Sequence, residues 1–284
     1  MGLPGDCHVH SEWSWDTGGP GSSAVGRMRQ TCAQAERIGL PMVVFTEHLD
    51  LPGSWRAEPC DMMDHQQGFL TEAGIVDFEP FDVAGYFDDI AGMRAQFPAI
   101  EILTGAEVGQ PHLHEHEFAA IVDLTEMDLV LGSLHTVQLA GVRAEPRTLY
   151  REFSPDVVLS CYLQQLDEMV ESSSLFETLA HVDYAVRSWP ADTAGPFDPY
   201  AFEDEFRTVF RTLAQSDRTL ELNTHRLWPW IPRWWAEEGG KRVRFGSDAH
   251  TPHDLAAHFY EAVDMAEHFG FHPGTTPGDA WHKR

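Results

Sequence analysis

The sequence predicts an α/β fold in which about seven β/α units build a parallel sheet. Short apolar runs alternate with longer amphipathic stretches along the 284 residues, and this alternation is typical of parallel sheets. Hydrophobic residues make up 43% of the chain, which suffices for the core of one large domain. No glycine-rich phosphate loop follows the first apolar run, which disfavours a dinucleotide-binding open sheet. Two architectures are therefore compatible with the sequence, a closed barrel and an open sheet of another kind.

The strands are predicted from short buried runs, and the helices from stretches in which apolar residues recur with a period near 3.6. The predicted strands are residues 6–10, 40–45, 100–104, 129–131, 175–179, 219–222 and 243–245. The predicted helices are residues 22–38, 82–97, 155–171, 199–214 and 252–269. In the first helix Val25, Met28 and Cys32 share one face. Pro155 and Pro252 stand at first-turn positions of two others.

A long irregular segment, residues 50–80, follows the second strand. Connections of this length are uncommon inside compact domains and are often functional. We interpret the segment as a lid or specificity loop, with a surface insertion of no such role as the alternative, inside a single domain of residues 1–284. Four tryptophans after the sixth strand are expected chiefly to pack the sixth helix, with pocket lining as the alternative: Trp228, Trp230, Trp234 and Trp235.

The charge of the chain restricts its partners. There are 19 Lys and Arg residues against 45 Asp and Glu residues, which gives a net charge of −26. Nucleic acids and anionic membranes bind basic surfaces, so neither is an expected partner. A small anionic substrate is still compatible, provided that bound cations reverse the local field. The oligomeric state cannot be predicted.

The cysteines and the N-terminal residues predict a cytoplasmic protein. The four cysteines form no Cys-x-x-Cys pair, which favours reduced thiols. The first residues contain neither the basic nor the apolar region of a signal peptide. No apolar run approaches the roughly 18 residues that a membrane span requires.

Almost every predicted strand ends in a side chain that can bind a metal ion. The carboxyl ends of parallel strands form the active face of β/α barrels, and residues two apart on a strand point the same way. Six imidazoles and three carboxylates are too many ligands for one ion. They suit two or three Zn²⁺, Mn²⁺ or Fe²⁺ ions better than Ca²⁺ or Mg²⁺. The predicted ligands are His8, His10, Asp16, His48, Glu107, His135, His181, Asp248 and His250.

A single histidine at a strand end is more often a hydrogen-bonded residue than a ligand, so the metal prediction depends on the joint pattern. Four further polar residues could orient ligand imidazoles or could be ordinary strand-end residues: Glu47, Asp183, Glu221 and Asn223. His225 and His253 lie close enough to the motifs to contact ligands. His112, His114 and His116 are interpreted as solvated loop residues.

The motifs in this order resemble those of the polymerase and histidinol phosphatase (PHP) superfamily. They are DCHVHSEWSWD, TEH, GAE, GSLH, AHVD, ELN and GSDAH, and the resemblance extends from Asp6 to about Phe269. It implies a distorted, TIM-like (β/α)7 barrel with a trinuclear metal site at the carboxyl ends of the strands.

The resemblance also implies how the ligands are divided among the ions. The first ion would be held by His8, His10, Glu107 and Asp248. The second would be held by Glu107, His135 and His181, with Glu107 as the bridge. The third would be held by Asp16, His48 and His250. Glu107, Asp248 and His250 are accordingly expected to take part in catalysis.

Stand-alone chains of this length resemble histidinol phosphatases most within the superfamily. We therefore expect a metal-dependent phosphomonoesterase that hydrolyses L-histidinol phosphate through a hydroxide bridging two metal ions. Arg187 and Arg226 would contact the substrate phosphate. The alternatives are a phosphoesterase for another small ester and, less favoured, a non-catalytic metal-binding module. The segment after His135 and residues 50–80 do not follow the family pattern, which leaves the natural substrate open.

Overall fold

The computed structural model describes residues 2–24 and 26–284, so Val25 of the first predicted helix lies outside the described residues. The strands are β1 Asp6–Val9, β2 Met42–Leu49, β3 Glu101–Gly109, β4 Leu129–Ser133, β5 Val137–Leu139, β6 Val142–Ala144, β7 Thr178–Leu179, β8 Thr219–Asn223, β9 Arg242–Gly246, β10 Phe271–His272 and β11 Trp281–Lys283. The α-helices are α1 Arg27–Ile38, α2 Val83–Gln96, α3 Glu115–Ile121, α4 Pro146–Leu149, α5 Pro155–Ser172, α6 Tyr184–Arg187, α7 Ala191–Ala194, α8 Glu203–Gln215, α9 Trp230–Glu237 and α10 Phe259–His268.

Seven parallel strands form a curled sheet in the order β1-β2-β3-β4-β7-β8-β9. The first strand meets the segment after the seventh, because the amide of Asp248 donates to the carbonyl of His8 at 2.8 Å and the amide of His10 donates to that of Ala249 at 2.9 Å. The predicted distorted (β/α)7 barrel is therefore confirmed. These backbone hydrogen bonds form the seam of the barrel, where β1 meets the segment after β9.

Apolar residues on the helices cover the outside of the sheet. Helix α8 buries Phe206, Val209 and Phe210 on one side, as its helical period predicts. Trp234 and Trp235 of α9 are fully buried, and the Trp230 ring lies 4.6 Å from the Phe206 ring. The predicted packing role is confirmed for Trp230, Trp234 and Trp235, whereas Trp228 lies half-buried before α9. Within the described residues, no helix combines the length and apolarity needed to cross a bilayer.

Two predicted helices begin later than the sequence pattern indicates. Helix α10 begins at Phe259 rather than at residue 252, because the amide of Ala256 donates to the buried Asp6 carboxylate at 2.9 Å and the preceding segment folds around it. Helix α1 begins at Arg27 rather than at residue 22. Gly26, with φ of +76°, and the carboxylate of Glu12, which accepts from the Met28 amide at 2.6 Å, define its start.

Other differences concern short elements. The fifth predicted strand is reduced to Thr178–Leu179, and residues 199–202 form a 3-10 turn before α8. Strands β10 and β11, which extend the sheet antiparallel beyond β9, were not predicted. The hairpin of β5 and β6 lies in the segment after His135 and was also not predicted.

Residues 50–80 fold onto the β5–β6 hairpin. The segment contains two 3-10 helices, Pro59–Asp61 and Asp64–Phe69, and its own apolar cluster around Trp55, Ala57 and Val76. The amide of Arg56 donates to the carbonyl of Arg143 at 2.9 Å. The segment therefore has an ordered structure of its own and stands beside the carboxyl end of β2.

Candidate metal centre

The nine predicted ligands converge at the carboxyl edge of the barrel. Strand β1 and the residue after it supply two, β2 and β3 supply one each, and the turns after β4, β7 and β9 supply four more. Asp16 comes from the short 3-10 turn after β1. Parallel register places His48 beside Glu107 on adjacent strands. Glu107 and the ring of His8 are fully buried.

Four ligand atoms surround the position expected for the first ion. Nε2 of His8 and Nε2 of His10 are 3.0 Å apart. Glu107 Oε2 lies 3.2 and 3.4 Å from these two atoms, and Asp248 Oδ1 lies 3.6 and 3.4 Å from them. Ligand atoms of a tetrahedral zinc site with bonds of about 2.0–2.1 Å stand about 3.3–3.4 Å apart. The spacing of this group therefore fits one tetrahedral ion.

Two further groups adjoin the first. Glu107 Oε1 lies 3.0 Å from His135 Nε2 and 2.7 Å from His181 Nε2. On the other side, Asp16 Oδ2 lies 2.8 Å from His250 Nε2 and 3.7 Å from His48 Nε2. Because the two oxygens of Glu107 face different groups, this carboxylate can bridge two ions.

Hydrogen bonds to the second ring nitrogen orient three of the imidazoles. His8 Nδ1 bonds to Glu221 at 2.6 Å, His135 Nδ1 bonds to Asp50 at 3.0 Å, and His10 Nδ1 bonds to Ser14 at 3.0 Å. Each bond leaves Nε2 directed at the cluster, which is the usual arrangement around protein-bound metals. Ser14 in turn donates to Glu47 at 2.6 Å.

These contacts agree only in part with the sequence interpretation. Glu221 orients a ligand directly, and Glu47 acts through Ser14. Asp183 instead accepts from the Trp228 indole at 3.0 Å. Asn223 donates to Glu221 at 3.2 Å. Sequence reasoning missed Asp50 as an orienting residue, because it is the first residue of the irregular segment. It stands two residues after His48, a spacing that places both side chains on the same side of a strand.

Two glycines leave room for the orienting carboxylates. A Cβ atom on Gly109 would collide with the Asp50 carboxylate, and one on Gly246 would collide with Glu221 and with the Cβ of His8. Both glycines stand at the carboxyl ends of their strands, β3 and β9. The strand ends therefore accommodate the ligands and their supporting carboxylates together.

The electrostatics of the cluster favour cations. Burial alone would raise the pKa of Glu107, but the neighbouring His8 and His135 rings hold it well below its ordinary value. Burial alone would lower the pKa of His8, but Glu221, Glu107 and Asp248 raise it well above its ordinary value. The carboxylates thus carry more negative charge than neutral imidazoles can balance. Glu107 Oε2 is moreover buried and has no hydrogen-bond partner within the described part of the chain. Donor types, spacing and charge all fit divalent transition-metal ions.

Arg187 stands at the wall of the cluster. Its Nη1 donates to Asp248 Oδ2 at 2.7 Å, while its Nε and Nη2 are buried and have no partner among the described residues. Burial alone would lower the pKa of Arg187, but the Asp248 and Asp183 carboxylates raise it, so the guanidinium is charged. The free donors can therefore bind an anion beside the ligands.

Arg226 is not among the residues that line the cavity over the ligands. It is exposed, its Nη2 donates to the carbonyl oxygen of Arg187 at 3.3 Å, and it borders a separate depression beside Trp228. Arg147, which sequence reasoning missed, instead lines the cavity of about 300 Å³ over the ligands, and so does His225. Nothing in the local sequence marks Arg147, because its position depends on how the segment after His135 folds.

The remaining histidines differ in their exposure. His112 and His114 are half-buried rather than solvated, and burial lowers the pKa of His112 to about 4. His116 is exposed, as expected. His253 is exposed and is not among the residues that line the cavity.

Known proteins similar to this chain share both the fold and the length. A curated relative from Clostridium acetobutylicum, named probable histidinol-phosphatase, is 25% identical over 277 residues and is matched over 94% of each chain. A probable histidinol-phosphatase from Thermotoga maritima is 29% identical over 274 residues, which are 94% of this chain and 92% of the relative. A histidinol phosphate phosphatase from Lactococcus lactis, solved as a complex with zinc, L-histidinol and phosphate, superposes with a TM-score of 0.74 at 21% identity over 95% of both chains.

The family assignment rests on a match over most of the chain. The PHP domain family matches residues 6–225, which include the strand ends from β1 to β8. The remaining ligands, Asp248 and His250, follow β9, which pairs with β8 in the same sheet. The chain belongs to the PHP domain family.

Proposed function

We propose that this chain is a metal-dependent phosphomonoesterase that hydrolyses L-histidinol phosphate to histidinol and phosphate. The observation that carries the proposal is the position of Glu107, whose two oxygens face separate donor groups beside the free donors of Arg187. The names of the relatives, and the zinc, L-histidinol and phosphate in the Lactococcus lactis structure, support the same reaction.

In this proposal the three donor groups hold two to three Zn²⁺, Mn²⁺ or Fe²⁺ ions. His8, His10, Glu107 and Asp248 would hold the first, Glu107, His135 and His181 the second, and Asp16, His48 and His250 the third. When bound, such ions acidify a shared water and neutralise the negative charge of a phosphate. The orienting bonds from Glu221 and Asp50 fix the rings of His8 and His135 before substrate arrives.

Arg187 would hold the phosphate against the ligands. Its bond to Asp248 fixes the plane of the guanidinium, so that Nε and Nη2 can donate to two phosphate oxygens without reorganisation. Because these donors are buried, their attraction for the phosphate is screened less than that of a surface arginine. A chain of net charge −26 can in this way attract an anion locally.

A kinetic comparison tests the substrate. The protein, loaded with Zn²⁺ or Mn²⁺, is assayed for phosphate release from L-histidinol phosphate and from sugar, nucleotide and aryl phosphates. The proposal requires the highest kcat/KM for L-histidinol phosphate. If the aryl phosphate is hydrolysed equally well, only a general phosphoesterase function remains, and if no ester is hydrolysed by the fully loaded protein, a metal-binding module is favoured.

A further inference from the structure

A second cavity opens directly from the metal ligands. It has a volume of about 210 Å³. The residues that it shares with the cavity over the cluster are Asp16, His48, Met63, His135, Arg147 and Tyr184. Its opposite wall comes from residues 50–80 and from the segment after β6, including Trp55, Met62, Gln66 and Glu145. An ester whose phosphate lies at the cluster would extend its leaving group into this space.

Three of the four carboxylates that line this cavity are already engaged. Asp16 faces His250 at 2.8 Å within the third donor group. Asp50 bonds to His135 and accepts from the Trp15 indole, both at 3.0 Å. Asp61 accepts from Thr148 at 2.8 Å and from Arg151 at 2.6 Å. Their charges are thus already balanced within the protein.

The fourth carboxylate, that of Glu145, has no such partner. Among the described residues, no side-chain hydrogen bond contributes to its pKa, and no basic nitrogen lies within ion-pair distance of it. Burial raises the pKa of Glu145, and the charges of Arg147, which lines the same cavity, and of His135 compensate only in part. A cation arriving in the cavity would supply the missing compensation.

The backbone holds Glu145 firmly at the cavity wall. Its carbonyl accepts from the amides of Thr148 and Leu149 at 3.0 and 3.1 Å, and Pro146 begins α4 directly after it. On the other side, Ala144 is bridged to Arg56 of the insertion. The side chain does not cap α4, so its carboxylate is free to bind a ligand.

We infer that Glu145 determines substrate specificity by pairing with an ammonium group on the leaving group of the phosphate ester. The inference rests on the proposed function and adds the residue that would recognise the primary amine of the substrate. An ammonium provides donors only, which is what an unpaired carboxylate requires. The apolar wall of Trp55 and Met62 can contact the carbon skeleton between amine and phosphate.

The experiment compares Glu145→Gln with the parent protein on two substrates, L-histidinol phosphate and its analogue without the amino group. Glutamine still offers an acceptor oxygen but no negative charge, so the bond to the ammonium is weakened and kcat/KM for the amine substrate should fall roughly 10- to 100-fold. For the analogue the change should stay below about 3-fold, so the preference for the amine is lost. Glu145→Asp, which keeps the charge, should retain part of the preference.

Glu152→Gln is the matched control, since Glu152 is exposed on the same segment and should leave both rates unchanged. Metal content and Tm are measured for each variant, so that a folding defect is recognised. If Glu145→Gln keeps the parent's preference for the amine, or lowers both rates equally at full metal content, the assignment of Glu145 is overturned while the phosphatase function stands. If the parent hydrolyses neither substrate, the proposed function fails, and the inference with it.

Discussion

At the scale of single residues, Glu107 is the point at which the donor groups meet. Its carboxylate lies within 3.4 Å of ring nitrogens from five histidines, namely His8, His10, His48, His135 and His181. Such a buried anion is tolerated only because positive charge surrounds it. Bound cations would satisfy it better than protons on its neighbours can.

Glu107→Gln should therefore remove more than one ion and lower kcat by more than about 100-fold. Even mutation of a residue that only orients a ligand typically lowers metal affinity or activity about 10- to 100-fold. Metal analysis and phosphate release measure the two effects. Glu221→Gln is the comparison, because it loses one orienting bond to His8 and should show only the smaller effect. Parent-like metal content in Glu107→Gln would argue against the bridging role.

Arg187→Ala should remove roughly 2–4 kcal/mol of transition-state stabilisation, which is the usual loss when one charge-stabilising donor is removed. The loss is measured as a lower kcat/KM for the best phosphate substrate. Metal content should change little, because Asp248 approaches the ligand group with Oδ1 and Arg187 with Oδ2. Arg226→Ala serves as the control and should change kcat/KM less than about 3-fold, in view of its exposed position. Equal losses in both variants would mean that the phosphate lies between the two arginines.

At the scale of elements, two irregular segments, residues 50–80 and the segment after β6, meet to form the second cavity. Residues 50–80 contact β6 through Arg56, and they contact the segment after β6 through Asp61, which accepts from Thr148 and Arg151. Arg147 also donates to the Asp61 carbonyl at 3.1 Å. In the proposed function, substrate recognition would therefore be separated from the barrel, whose strand ends would supply the metal ligands.

Asp61→Asn should weaken this junction without unfolding the barrel. We expect KM for L-histidinol phosphate to rise roughly 3- to 10-fold, while the free energy of unfolding falls by no more than about 1 kcal/mol, since Arg151 is largely exposed. Steady-state kinetics and thermal unfolding provide the two readouts. Asp217→Asn, at an exposed pair with Lys241, is the control. An unchanged KM would mean that the junction does not shape the cavity.

The barrel and eight of the nine predicted ligands could be predicted because these residues lie within a few positions of a strand end, whereas Asp16 lies in a later 3-10 turn. Period and offset are local properties, so the sequence reveals them. The positions of Glu145 and Arg147 depend on the contact between the insertion and the hairpin, for which no local pattern exists. The late start of α10 has a similar cause, since Ala256 bonds to Asp6 from 250 positions away in the chain.

At the scale of the whole molecule, the cluster of predicted metal ligands lies where the barrel closes. The seam between β1 and the segment after β9 is held by backbone bonds of His8 and His10, which are also ligands of the first donor group. Asp248 contributes to both as well. Metal binding and closure of the barrel should accordingly support each other.

Removal of metal should therefore lower the thermal stability of the protein. An ion present at about 100 times its Kd stabilises the folded state by about 2.7 kcal/mol. Thermal unfolding with and without a chelator measures the effect, and Tm should recover when Zn²⁺ or Mn²⁺ is restored. An identical Tm before and after complete removal of metal would contradict this coupling.

The central claim is that the strand ends form one multinuclear metal centre, and the number of ions per chain tests it most directly. The measurement is elemental analysis of the purified, metal-supplemented protein after excess metal has been removed, combined with an accurate protein concentration. The nine ligands predict two to three transition-metal ions per folded chain. One ion or none in a fully folded sample would contradict the account.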